Sequence, residues 1–445
     1  MRTYFFSRSK LSLSKILIPY LVRYKMYNML SYLFILNLNI IDEILPKKKT
    51  KYKAIVLSKA GGTEDLIASQ KIYNKNILYL NCQRKFFKFI FHSIFGDKIF
   101  NLSDLQYESK NPEIQKLKKN YKEFLKIFLK TLQSKYKFNI FIGFNFKYLA
   151  EREVHTACSE LKIPFLILYK ESIHTEIQKK YFLHVHKKTN EKFNGYKVAV
   201  YSKYAKKFLT EPKIAKSSKV EIVGCSRLYE SFQLRKIKPI KQILYYEIQD
   251  DRGLPTPLIN KYGKNFFKNI EKKKIFDTTF DWRKLHLKTI KTLRKFAINF
   301  PDIKIQIKIK NKKKSNKNDY INLPKNINIV YSGAGHELLR ESKLVIGWNT
   351  TSILEAIAAN RFILLPYFFK KNSFCKKKEL KLDLKKQNYG FNEIDFYKKL
   401  NYLINKDYNI NITNNNLSPL NYYLGNADNK AVIKLNKFIN KNLNY

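Results

Sequence analysis

The residues with the clearest chemical potential sit together in the run 344–367, LVIGWNTTSILEAIAANRFILLPY. An apolar stretch ends at Gly347, and the polar turn Trp348-Asn349-Thr350-Thr351-Ser352 follows. Next comes a helical pattern with Ile353, Leu354, Ile357 and Ala358 on one side. The first turn of a helix leaves backbone N–H groups unpaired, so hydroxyls and amides gathered there favour an anion. At least one of Asn349, Thr350, Thr351 and Ser352 must serve as the N-cap. Glu355 stands three residues after Ser352, the spacing of a capping box in which its carboxylate would close the helix start. Arg227 and Lys310 are cations that could meet the same anion. Gly61, Gly62 and Thr63 form a second cluster, in SKAGGT. Glycines there either let the backbone approach a ligand or make an ordinary turn. Asp65 follows directly. Glu171 and His174, in the segment LYKESIH, are proton-handling side chains placed just after an apolar run. Glu151 and His155 lie i,i+4 on a helical stretch and read as a surface pair.

These residues need elements to hold them, and the chain supplies an alternation of short apolar runs and helical patterns. The pattern predicts strands at 53–57, 76–80, 138–143, 164–168, 196–201 and 219–223, with helices at 64–73, 117–134 and 147–161 between them. Residues 231–241 read as a linker. A second alternation follows, with strands at 242–246, 302–309, 326–330, 344–347 and 362–365 and helices at 281–299, 335–341 and 351–359. Asp281 is the expected N-cap of the first of these helices. Residues 302–309, DIKIQIKI, alternate strictly and read as an edge strand because of their lysines. The lysine- and asparagine-rich stretch 310–319 reads as a loop, and so do His184 and His186. Buried runs alternating with helices predict mainly parallel sheets covered on both faces. Two such units facing each other define a cleft at the carboxyl ends of their strands, where all the candidate residues fall.

A chain of 445 residues can bury two cores, and 44% hydrophobic content suits a folded protein. The formal charge of +52 alone would suggest a polyanionic partner. Lysine, however, recurs from end to end together with asparagine, isoleucine, tyrosine and phenylalanine, the bias of an AT-rich coding sequence. No zinc finger, recognition helix or aromatic RNA-binding motif occurs, so nucleic acid is not the expected partner. An anionic membrane surface fits the charge better. Cys82, Cys158, Cys225 and Cys375 are scattered and form no CxxC, which predicts a reducing compartment and no structural zinc. The first 45 residues mix apolar and basic residues. Arg23 and Lys25 interrupt any long apolar span, so the segment reads as an amphipathic interfacial helix or a helical cover for the first domain, not as a transmembrane helix.

Three stretches resemble the GT-B glycosyltransferases of bacterial surface-polysaccharide synthesis, near the relatives of CDP-glycerol glycerophosphotransferase. They are 198–227, ending KVEIVGCSR; 342–366, SKLVIGWNTTSILEAIAANRFILLP; and 425–435, GNADNKAVIKL. The resemblance implies a basic N-terminal segment (1–50), a Rossmann-like acceptor domain (51–235), a Rossmann-like nucleotide-sugar donor domain (236–420) and a closing helix (421–445). Two departures stand out. No histidine follows DIKIQIKI, where relatives carry a lysine-proline-histidine-proline motif, and Asn360 replaces a glycine after the donor helix. Asn tolerates the left-handed cap that glycine would occupy.

What the resemblance implies for the site is specific. Glu355 would accept hydrogen bonds from the donor ribose diol, a second use of its carboxylate beside the capping box. Asn349, Thr350, Thr351 and Ser352, with Arg227 and Lys310, would hold the diphosphate. Gly61, Gly62 and Thr63 would border the cleft. Glu171 is the expected general base, with His174 and Asp65 as rivals. The expected activity is glycosyl transfer from a nucleotide-sugar to a glycan or lipid-linked acceptor, on the cytoplasmic side of the membrane, with no DxD motif and hence no required metal. A glycerophosphotransferase, a nucleotide-sugar epimerase of the same fold, a non-catalytic polysaccharide-locus scaffold and a polyanion or membrane binder are the alternatives.

Overall fold

The computed structural model describes residues 2–59, 61–74, 76–102, 104–171, 173–189, 191–248, 282–309, 316–331, 335–368, 379–409 and 416–443. Lys310 and Asp281 lie outside this set, as does most of the 310–319 stretch.

Two sheets carry the chain. The first is seven-stranded in the order β1-β3-β2-β4-β5-β6-β7 and the second six-stranded in the order β10-β9-β8-β11-β12-β13. The strands of the first sheet are β1 (Asn39–Ile40), β2 (Tyr52–Leu57), β3 (Ile77–Cys82), β4 (Ile140–Gly143), β5 (Phe165–Tyr169), β6 (Lys197–Val200) and β7 (Val220–Ile222). The second sheet comprises β8 (Ile240–Tyr246), β9 (Lys304–Lys308), β10 (Ile327–Val330), β11 (Ser342–Ile346), β12 (Phe362–Pro366) and β13 (Tyr389–Gly390). Only the short β1 runs antiparallel, against β3; every other pairing is parallel. All residues of β4, β5, β11 and β12 are buried, as strands covered on both faces must be. The architecture is therefore two Rossmann-like α/β lobes facing across a cleft, the GT-B arrangement.

Each lobe has its own core. One cluster covers the second sheet. The first sheet has a core on each face: one fills with Phe34, Phe86, Phe87 and Phe128 under the N-terminal helices, and the other includes Leu435, Phe438 and Ile439. Those last three belong to the C-terminal helix Ala431–Lys441, so the chain crosses back to finish the first lobe.

The structure corrects several expectations about elements. β9 is not an edge strand: it pairs with β8 on one side and β10 on the other. Ile305, Gln306 and Ile307 are buried, and its lysines sit at the two ends of a five-residue strand, where their charges reach solvent. His184 and His186 lie in the helix Glu176–Thr189, not in a loop. The expected linker at 231–241 is ordered, running through the helix Leu228–Gln233 and a 3-10 turn into β8. Asn360 does occupy the left-handed region, at φ 57°.

Candidate active site

The Thr351–Ala358 helix forms the donor-side wall of the cleft. Thr350 is its N-cap: the side chain accepts from the Ser352 amide at 3.4 Å. Ile353, Leu354, Ala356, Ile357 and Ala358 are buried. The strip left over is Thr351, Ser352 and Glu355, with Glu355 four residues after Thr351 and three after Ser352, so that it neighbours both on the helix surface. Glu355 does not close a capping box. Its Oε1 instead lies 3.4 Å from Arg227 Nε. Burial pushes its carboxyl above the ordinary range, and the Arg227 guanidinium opposes that rise. Asn349 is spent on the backbone. It stands at φ 44°, and its Oδ1 accepts from the Leu380 amide at 3.0 Å. Replacing Thr350 with alanine is expected to lower stability by about 1 kcal/mol, read from the midpoint of urea denaturation, because only the cap is lost.

Arg227 ties the two lobes together. Its Nη1 donates to the Gly61 carbonyl at 3.2 Å, to Asp65 Oδ2 at 3.0 Å and to the Tyr201 hydroxyl at 2.9 Å. The Arg227 amide donates to Asp65 Oδ1 at 3.0 Å. Asp65 is thereby corrected as a candidate base. It is 3% exposed and also takes the hydroxyls of Tyr201 and Ser226, so its carboxylate is fully engaged in holding Arg227.

The glycine loop lies beside this group. Gly61 adopts φ 79°, and a Cβ there would fall 2.7 Å from Lys170 Nζ. A Cβ on Gly62 would strike the Phe144 ring. The loop needs both glycines because a lysine amine and an aromatic ring close over it. Thr63 does not face a ligand: its hydroxyl donates to the Lys59 carbonyl and accepts from the Lys59 amide, each at 3.1 Å, which pins the turn.

Beyond the loop, residues following β2, β3, β4 and β5 converge at the carboxyl edge of the first sheet. Lys59 Nζ meets Glu171 Oε1 at 2.6 Å. The Glu171 side chain is 46% exposed, so this carboxylate is reachable and is kept beside a cation. Lys59 and Arg84 both lie over the Tyr148 ring, at 4.9 Å and 3.6 Å from its centroid. Arg84 Nε meets Glu151 Oε1 at 2.5 Å. Glu151 is buried, and desolvation pushes its carboxyl up to about 7 against the pull of Arg84 and Lys59. Lys170 is held below the usual lysine range, first by burial and then by the like charges of Lys59 and Arg227. Sequence reading took Glu151 and His155 for a surface pair although both are buried, and it missed Lys59, Arg84 and Lys170. Their common signal is position, just beyond the ends of parallel strands; the abundance of lysine hid two of them.

His174 is also corrected. It is buried between Phe208, with ring centroids 4.7 Å apart, and Phe182, at 4.9 Å. Burial, with Lys147 and His186 nearby, pushes its imidazole down to about 3. It borders a separate inter-lobe opening of about 300 Å³, shared with Lys179, Tyr204, Lys381 and Tyr423. His186 belongs to a buried ion network with Lys147 and Glu191, at 2.7 Å and 3.3 Å.

The cavity at Glu355 measures about 360 Å³ and lies between the lobes. Glu43, Glu64, Glu230, Glu337 and Glu355 line it, against Lys71, Arg227 and His336. Residues 349–352 do not line it. An acid-rich wall suits a ligand part rich in hydrogen-bond donors and repels a diphosphate, and the 349–352 turn expected to cradle one does not open onto this cavity. The structure thus brings Glu355, Arg227 and the Gly61 loop together, sets Glu171 beyond them, and leaves Asn349 and His174 in structural roles. Among the described residues, no three His, Cys, Asp or Glu side chains converge as a metal-ligand set.

No protein-family model matches the chain, and no curated protein matches it. Solved structures share the course of both lobes. A UDP-GlcNAc 2-epimerase from Neisseria meningitidis is 12% identical, with 87% of this chain and 100% of that chain covered and a TM-score of 0.45. One from Methanocaldococcus jannaschii is 11% identical, covering 88% and 99%, with a TM-score of 0.42. An α,α-trehalose-phosphate synthase from Burkholderia vietnamiensis is 8% identical, covering 89% and 100%, with a TM-score of 0.39. These are likenesses of fold, so a functional reading has to come from the residues of this chain.

Proposed function

We propose that the chain is a nucleotide-sugar-dependent glycosyltransferase that acts on a surface-glycan or lipid-linked acceptor at the cytoplasmic side of a membrane. The observation that carries this reading is Glu355, the carboxylate that the Thr351–Ala358 helix turns into the inter-lobe cavity, with Arg227 across from it. A carboxylate in that position accepts from both hydroxyls of a ribose, and the acid-rich wall favours the nucleoside over its phosphates. The diphosphate then lies over Arg227, Lys170 and the Gly61 loop, where positive charge collects. These cations stabilise the diphosphate as it leaves the sugar. Glu171 takes the proton of the incoming hydroxyl, beside the Lys59 ammonium that neighbours it. Lobe closure over the donor excludes water that would otherwise consume it.

One observation favours a second reading, nucleotide-sugar epimerisation. Glu151, with a carboxyl near neutrality, shares the sheet edge with Glu171. A reaction that removes a carbon-bound proton from one face and returns it to the other can use two such groups, one as base and one as acid.

The test is titration calorimetry of the full chain with UDP-, CDP- and GDP-sugars, followed by NMR of the bound sugar in deuterium oxide. Nucleotide-sugar binding with transfer only when a glycan acceptor is added supports the transferase. Deuterium appearing on a sugar carbon without acceptor supports the epimerase instead. Absence of binding to every nucleotide-sugar and nucleoside diphosphate tested at millimolar concentration overturns both and leaves the scaffold alternative.

A further inference from the structure

The N-terminal helices carry an outward face that the cleft does not use. On the helix Arg2–Arg23, Leu13, Ile16, Leu17, Tyr20 and Tyr24 just past its end form one exposed stripe at i, i+3, i+4, i+7 and i+11. Met29, Tyr32 and Leu36 continue it on the helix Tyr27–Leu36. Ile16 is 72% exposed, Leu36 62% and Tyr20 58%. Of the twenty exposed large hydrophobic residues among the described residues, ten lie between Leu13 and Leu45. That is concentration, not the scatter normal for a soluble surface. The same helix already spends its other side on the core: Ser14, Ile18, Leu21 and Val22 are buried against the first lobe. Among the described residues the outer stripe is left to solvent, apart from Tyr32, whose ring and hydroxyl meet the Lys135 ammonium.

Charge says what covers it. Residues 1–41 contain Arg2, Arg8, Lys10, Lys15, Arg23 and Lys25 and no aspartate or glutamate. Between this helix and the helix Lys85–Phe95 runs a groove of about 640 Å³ with an apolar floor at Pro19 and Phe89. Its rim is Lys15, Lys85, Lys88 and His92, and no acidic residue lines it. No helix among the described residues is long and apolar enough to cross a membrane. An apolar and tyrosine-rich stripe beside a purely basic groove, on elements that do not span, has the form of an interfacial docking face. We infer that this face seats the protein on an anionic phospholipid bilayer. Ile16, Leu17, Tyr20 and Leu36 sink to the headgroup boundary, and the groove cations meet lipid phosphates. The inference is independent of what the cleft does.

The test is co-sedimentation of the full chain with vesicles of phosphatidylcholine alone or with 30% phosphatidylglycerol, at about 0.15 M salt where long-range attraction is screened. Three double variants are compared: I16E/Y20E in the stripe, K85E/K88E at the groove, and K317E/K325E on the far lobe as a charge control. All six positions are exposed, and matching melting curves confirm the fold. Binding to the anionic vesicles is expected to exceed binding to the neutral ones by at least tenfold. It should fall about tenfold or more in each of the first two variants and stay nearly unchanged in the third. Equal loss in all three means that the even lysine coat binds, and the docking face is wrong. It is also wrong if the wild type ignores anionic vesicles, or if I16E/Y20E instead dissolves a dimer that sediments without lipid.

Discussion

Replacing Glu355 with alanine is expected to weaken nucleoside diphosphate binding by about tenfold to hundredfold, because a hydrogen bond to a charged acceptor contributes about 1.5–3 kcal/mol. The loss should be specific to the diol. A 2′-deoxynucleotide should bind the wild type more weakly than its ribose counterpart, and the alanine variant should scarcely distinguish the two. That non-additivity ties residue to hydroxyl more tightly than a lowered affinity alone. The fold should survive the change, since Arg227 keeps Asp65, Tyr201 and the Gly61 carbonyl as partners. Acidification supplies a second check. Burial holds the Glu355 carboxyl above the ordinary carboxylate range. The ionised form that accepts from a diol is therefore depleted at a pH where an exposed glutamate would still be charged, and affinity should begin to fall there. For stability the sign is opposite. A raised carboxyl binds its proton more tightly in the folded state, so its contribution is full below the unfolded value and is lost as pH rises through the folded one. A folded E355A protein that binds ribose and deoxyribose nucleotides as the wild type does would remove the ribose role.

The strands were legible because burial on both faces writes itself as a short apolar run, as in FLILY of β5 or FILLP of β12. β9 misled because its alternating lysines look like an edge strand's pattern, whereas a five-residue strand exposes its ends in any position. The pattern predicts no element between 80 and 117, yet Phe86, Phe87, Ile90 and Phe91 of the helix Lys85–Phe95 are buried and help fill the first lobe; the interleaved lysines masked a helical period. The site was legible in its residue types but not in its pairings. Glu355, Arg227 and the Gly61 loop are drawn together from three distant segments, as the strand-end rule implies. Sequence could not show that Arg227 claims Asp65, nor that Phe208 and Phe182 enclose His174. Both outcomes depend on which side chains are buried side by side, and a linear pattern encodes each neighbour separately.

That capture of Asp65 sets the largest expected stability effect. Arg227→Ala would leave the Asp65 carboxylate buried without its cation, and would strip a donor from both the Gly61 carbonyl and the Tyr201 hydroxyl. Removing one partner of a buried pair costs about 3–5 kcal/mol, because the remaining charge stays desolvated. The loss is to be read as a lower denaturant midpoint for the first lobe. Arg227→Lys should recover only part of it, since one ammonium cannot reach Asp65, Gly61, Tyr201 and Glu355 together as the planar guanidinium does. The double variant D65N/R227L tests the cause. If the penalty comes from the orphaned carboxylate, neutralising it should return a good share of the stability, and the two single losses should exceed the double by well over about 1 kcal/mol. Additive losses would instead place the cost in packing alone. Arg227 would then be a spacer between the lobes, and its guanidinium would be free to turn wholly to the ligand.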